Sequence, residues 1–137
     1  YYPTRVSGGE IEVALDIRLD AEAPGELYID CRQYGGEQAG EYLSGPMLNI
    51  AADGAVSAGG KELARLPLGQ WAALRLRIGW RNERFASTLE VASGGAATQT
   101  AIVAHRAREF RRLDRVVISA TADRHAVFYI DNLKIGP

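Results

Sequence analysis

Between Glu10 and Asp20 the chain alternates: Ile11, Val13, Leu15, Ile17 and Leu19 are apolar, and Glu10, Glu12, Asp16, Arg18 and Asp20 between them are charged. Successive side chains of a strand point to opposite faces, so this period of two predicts a long strand with one face buried. A helix would spread the same apolar residues around its circumference. The rhythm recurs. Leu27, Ile29 and Cys31 alternate with Tyr28, Asp30 and Arg32, and Leu74, Leu76 and Ile78 alternate with Arg75 and Arg77. Phe85, Ser87, Leu89 and Val91 share one side of the segment from Phe85 to Ala92, while Val116 to Thr121 and Val127 to Ile135 read as closing strands. Thr98 to Ala104 is weakly strand-like, and Arg106 to Leu113 reads as a short helical turn or an irregular loop. No helix-period segment exceeds about two turns.

Turn chemistry punctuates these runs. Ala23-Pro24-Gly25, Gly59-Gly60 and Ser93-Gly94-Gly95 break the chain, and a polar glycine-bearing loop is expected from Tyr34 to Gly45. Asp53-Gly54 between Met47–Ala52 and Ala55–Ser57 is a hairpin signal, because glycine tolerates the positive φ of a tight turn. Short strands separated by such turns, with no βαβ rhythm and no repeat, predict a β-sandwich or barrel.

A chain of 137 residues, 47% of them apolar and 24% charged, suits one domain with its own core, here residues 1–137. It begins at Tyr1, so it is expected to be a domain excised from a larger protein. No apolar stretch approaches the ~18 residues a membrane helix needs, and no leader is visible. The net charge of −1 conceals an asymmetry: residues 1–64 carry 11 acids against 4 bases, and residues 65–137 carry 6 acids against 12 bases. The expectation is that the two halves pair as neighbouring strands and neutralise each other. The other reading is a basic surface for an acidic ligand, in keeping with 14 arginines against 2 lysines.

Three stretches carry a family resemblance. Gly45-Pro46-Met47-Leu48-Asn49-Ile50 followed by Asp53-Gly54-Ala55-Val56 resembles a hairpin of concanavalin A-like and laminin G-like jelly rolls. Leu66-Pro67-Leu68-Gly69-Gln70-Trp71, leading into Leu74-Arg75-Leu76-Arg77-Ile78, is similar to their element of a small loop, a Trp and a strand. Phe128-Tyr129-Ile130-Asp131-Asn132-Leu133-Lys134-Ile135 resembles their closing strand. The resemblance spans about Gly9 to Ile135. It implies an all-β, two-sheet antiparallel jelly-roll β-sandwich with one sheet curved into a groove. It also implies a module appended to secreted polysaccharide-active or cell-surface proteins, hence an extracellular or periplasmic location.

The residues point to no catalytic constellation. The Glu-x-Asp-x-x-Glu strand of related glycan-cleaving enzymes is missing. Glu10, Glu12 and Asp16 share a face and could serve acid–base chemistry, but such a row is more often the wet side of a strand. His105 and His125 are the only histidines, and no His or Cys spacing suggests zinc. Cys31 has inward parity and reads as core filler. Arg106, Arg108, Arg111 and Arg112 cluster around Phe110, yet no nucleic-acid-binding motif accompanies them, so no nucleic-acid partner is expected.

The expected occupation is therefore non-catalytic carbohydrate binding. Tyr28, Asp30, Arg32 and Tyr34 alternate outward and combine two phenols with a carboxylate and a guanidinium, which suits stacking and paired hydrogen bonding to sugars. Arg75 and Arg77 present a second outward pair, and with Arg32 they bias the expected ligand toward acidic glycans. Trp80, on a polar connection, either stacks on a sugar ring or folds back as a lid; Trp71, at a strand start, is expected to be a core anchor. The resemblance also implies a calcium site near Asp131, against the preferred reading of Asp131-Asn132 as a polar bulge that turns both Ile130 and Leu133 inward. The alternative function is a structural accessory domain that packs on a catalytic domain of the same parent chain and binds no sugar.

Overall fold

A computed structural model describes residues 2–7, 9–35, 40–79 and 86–137, with side chains from residue 9 onward. Trp80 and Phe85 lie outside the described residues. Eleven strands are described: β1 (Tyr2–Ser7), β2 (Glu10–Leu19), β3 (Leu27–Tyr34), β4 (Tyr42–Ile50), β5 (Ala55–Ala58), β6 (Lys61–Arg65), β7 (Ala72–Gly79), β8 (Ala86–Ser93), β9 (Gln99–Ala104), β10 (Arg112–Ala120) and β11 (Phe128–Gly136). They form a six-stranded sheet in the order β1-β10-β3-β4-β5-β6 and a five-stranded sheet in the order β11-β2-β7-β8-β9. Every strand pairing is antiparallel. The fold is a two-sheet jelly-roll β-sandwich, as the alternation and the resemblance imply.

One core fills the space between the sheets. From the five-stranded side come Ile11, Val13, Leu15, Ile17 and Leu19, with Leu74, Leu76, Ile78, Leu89 and Val91 beside them. Leu27, Ile29, Cys31, Leu48, Ile50 and Val116 face them from the other sheet. Each fully buried Leu or Ile contributes about 1.5–3 kcal/mol relative to an exposed one, so this paired apolar surface is what holds the sheets together. Cys31 is fully buried, and burial pushes its thiol far above the ordinary range, with the neighbouring Asp30 carboxylate adding to the effect. It fills the core and has no thiolate to offer.

The Asp53-Gly54 turn forms as expected. Gly54 N donates to Ala51 O at 2.9 Å, and Ala51 N donates to Ala55 O at 2.9 Å. Gly54 has φ +91°, and a Cβ there would lie 2.2 Å from the Leu66 carbonyl oxygen, so both backbone and space demand glycine. Gly45 is constrained by packing instead: a Cβ would come within 2.5 Å of the Phe110 ring.

Three readings are corrected. The segment from Tyr34 to Gly45 is not all loop: β3 and β4 run into it, and Tyr34 pairs with Tyr42. The closing strand β10 begins at Arg112, ahead of Val116. Trp71 is no core anchor. It precedes β7 and is 45% exposed, because Ala72, Leu74, Leu76 and Ile78 take the inward positions and Trp71 shares the outward parity of Ala73, Arg75 and Arg77.

Two further strands, β1 and β6, carry no alternation that announces them. The free edge of β6 is partly closed by a side chain. Gln99 Oε1 accepts from Arg65 N at 2.8 Å, and Gln99 Nε2 donates to Arg65 O at 2.9 Å, so a single amide imitates a strand neighbour and ties β9 to β6.

Candidate functional site

The predicted site residues lie on two opposite outer surfaces. Tyr28, Asp30, Arg32 and Tyr34 belong to β3 of the six-stranded sheet, whereas Arg75 and Arg77 belong to β7 of the five-stranded sheet. The structure brings the first four together and the last two together, but does not join the two groups.

On the six-stranded side the polar atoms are largely committed to protein partners. Asp30 corrects its outward reading: it is only 2% exposed, and its Oδ2 accepts from Arg32 Nε at 2.7 Å, so the carboxylate is buried beside its arginine. Desolvation opposes the Arg32 charge, but hydrogen bonds to Asp30 and Tyr34 and the Asp30 ion pair outweigh it and hold the guanidinium protonated. Arg32 lies over the Tyr42 ring at 4.0 Å, and Arg115 lies over the Tyr34 ring at 4.6 Å. Tyr34 and Tyr42 sit opposite each other with ring centroids 5.7 Å apart. Asp114 accepts from Tyr34 N at 2.7 Å and from Arg112 at 2.6 and 2.8 Å. This cross-strand lattice fixes β3 between β4 and β10.

On the five-stranded side the outer face carries a trough of about 510 Å³. Strand register explains its shape. Ala14 pairs with Arg75, which pairs with Glu90, and one row along Asp16 pairs with Ala73, which pairs with Ala92. Ala14, Ala73 and Ala92 make a low floor, and Glu12, Asp16, Arg75, Glu90 and Lys134 rise around it. Glu12 lies 3.3 Å from Arg75 Nε and 3.4 Å from Arg77 Nε. The acidic first half and basic second half thus meet here as neighbouring strands, in accord with the neutralisation read from the sequence.

Two aromatic rings stand at one end of this face. Trp71 is 45% exposed and Tyr129 is 48% exposed, with ring centroids 6.5 Å apart and planes at 54°. β11, which carries Tyr129, and β7, which Trp71 precedes, flank β2, whose Arg18 pairs with Tyr129 and holds its guanidinium carbon 5.8 Å from that ring's centroid. The sequence reading missed this pair. A signal was present: Trp71 has the same parity as Arg75 and Arg77, and Tyr129 alternates with Phe128 and Ile130, which pack on the core. From Trp71 to Arg77 is six residues, about 20 Å at a strand's rise per residue.

The Asp131-Asn132 reading as a bulge agrees with the structure. The β11–β2 register slips between Asp131 and Lys134, Asn132 adopts φ +51°, and Ile130 and Leu133 both pack on the core. Asn132 N donates to Asp131 Oδ1 at 2.7 Å, and Asn132 Nδ2 donates to Asp16 Oδ2 at 2.6 Å. Calcium takes about six to eight oxygen ligands. Here the amide nitrogen of Asn132 faces Asp16, and no group of three or more His, Cys, Asp or Glu side chains able to hold a metal occurs among the described residues.

A buried polar pair lies apart from both faces. Ser87 Oγ is 2.7 Å from His105 Nε2, and the His105 ring meets Phe110 edge-on at 5.3 Å. Burial, reinforced by the Arg111 charge, pushes the imidazole down to about 4, so it is neutral at pH 7. The pair satisfies two polar groups inside an apolar sandwich.

No family model matches the chain, and no curated protein matches it. Among solved structures, the galectin LEC-6 of Caenorhabditis elegans is similar to it over 96% of this chain and 95% of that one, with a TM-score of 0.44 and 11% identity.

Proposed function

We propose that this domain is a non-catalytic carbohydrate-binding module of a secreted polysaccharide-active protein. Its binding surface is the outer face of the five-stranded sheet. The exposed Trp71–Tyr129 pair at the end of the trough carries this reading. The two faces of a sugar ring present apolar C–H groups to a flat aromatic surface, while its rim of hydroxyls needs donors and acceptors nearby. Glu12, Asp16, Arg75, Glu90 and Lys134 supply those along the trough. The length of the face suits several linked sugars better than one.

Binding without turnover accords with how the carboxylates are used. Glu12 is shared between two arginines and Asp16 is bonded to Asn132. Of the residues expected from the sequence, Arg75 lines the trough and Arg77 stands beside it. Single-site affinity is expected to be weak and to become useful through tethering to an enzyme on the same polymer. A glycan array tests the reading: the wild-type domain binds a subset of oligosaccharides, and both Trp71→Ala and Tyr129→Ala lose that signal. Binding that survives both changes would place the site elsewhere. No binding at all would favour the structural accessory domain.

A further inference from the structure

The arginines that suggested an acidic ligand, Arg32, Arg75 and Arg77, each have a carboxylate within ion-pair distance. Arg18 is different. It has no ion pair among the described residues, and its Nε is buried without a hydrogen-bond partner. Burying an unpaired donor is costly, more so when it is charged, so such a group is normally satisfied by something. Arg18 projects from β2, the strand that lies between those next to Trp71 and Tyr129. Its guanidinium carbon lies 5.8 Å from the centroid of the exposed Tyr129 ring, which lies 6.5 Å from that of Trp71.

We propose that Arg18 is the anion-recognising residue of this surface, and that the domain takes a glycan carrying a carboxylate or sulfate group. The inference rests on the carbohydrate-binding reading above. The sugar ring packs across Trp71 and Tyr129, and its anionic group receives hydrogen bonds from the outer nitrogens of the Arg18 guanidinium, whose Nε is turned inward. Asp16, on the same strand, and Asp131, paired opposite it, carry negative charge one row further along. They repel an anion there and confine its seat to the aromatic end. The remainder of the trough, where Glu12, Glu90, Arg75 and Lys134 mix both signs, meets the neutral parts of the chain.

Affinity electrophoresis of the intact domain tests this, in gels containing polygalacturonate, dextran sulfate or a neutral soluble β-glucan. Polygalacturonate, dextran sulfate or both should retard the wild type, and which one does so separates carboxylate from sulfate as the recognised group. Salt should weaken the retardation, because exposed charge contacts are screened. Arg18→Gln should weaken it roughly tenfold, the loss of one charge-assisted contact, with an unchanged melting temperature showing that the variant is folded. Trp71→Ala should abolish it. Retardation by the neutral glucan alone, or unchanged binding of the acidic polymer by Arg18→Gln, overturns the anion assignment and leaves the aromatic site standing. Absence of retardation by any polymer, with a blank glycan array, defeats the carbohydrate reading itself.

Discussion

Asn132 Nδ2 donates to Asp16 Oδ2 across 2.6 Å, tying β11 to β2 at the point where their register slips. The bond matters because Asn132 holds a left-handed backbone, which costs most other residues about 1 kcal/mol. Asn132→Ala combines that cost with loss of the bond and should destabilise the domain by about 1–2 kcal/mol. Asn132→Gly removes only the bond and should cost less. Denaturant midpoints of the two variants check the order; a glycine variant no better than alanine would show that the backbone contributes nothing.

Trp71→Ala should change stability little, within about 1 kcal/mol, since the ring is 45% exposed. Phe110→Ala, by contrast, empties a site that is 1% exposed and should cost about 3–5 kcal/mol. Urea unfolding of both separates a binding aromatic from a core aromatic. Comparable losses would return Trp71 to the core.

Gly45→Ala should destabilise by about 1–3 kcal/mol despite its modest size, because the new methyl meets the Phe110 ring at 2.5 Å. Phe110→Leu in the same chain should recover part of the loss by making room. Thermal melts of the single and double variants measure the coupling, and simple additivity would mean that the ring is not what the methyl strikes.

His105 gives the fold an acid-sensitive element. Its folded pKa of about 4 lies below the ordinary value of 6.5, so in the intervening range the unfolded chain binds the proton more readily than the folded one. The stability this group contributes is complete above pH 6.5 and declines as pH falls toward 4, by on the order of 1–3 kcal/mol. His105→Gln should lower stability at pH 7 and flatten its slope between pH 6.5 and 4. An unaltered slope in that variant would assign the acid sensitivity to other groups.

Added calcium should leave the melting temperature unchanged, because the Asp131 and Asp16 oxygens engage Asn132. A rise on adding the ion that vanishes in Asp131→Ala would show a bound cation through ligand linkage.

Much of the architecture is legible in the amino-acid sequence. The period of two from Ile11 to Leu19 defines both the strand and its buried face, because a pleated strand leaves only two directions for a side chain. Asp53-Gly54 marks its turn because the local backbone needs a residue that accepts positive φ. Strands β1 and β6 are not legible, since their sequences carry no clean alternation and they exist by pairing with β10 and β5. Parity also holds the answer for Trp71, but the large apolar ring of a tryptophan at a strand start argues for burial, and the two signals conflict.

The candidate site is mostly decided by tertiary structure. Arg18, Trp71 and Tyr129 lie far apart in the chain and meet only because the last strand pairs with β2 on one side while β7 pairs on the other. Tyr28, Asp30, Arg32 and Tyr34 do form one alternating group, yet nothing local to β3 shows that Tyr42 and Arg115 stack on that group, or that Asp30 is buried beside its arginine. Sequence by itself determined which way each side chain leaves its strand, because that follows from two-fold backbone geometry. Which side chains then become neighbours depends on strand order and register, and those are set by burying all the inward faces in one shared core.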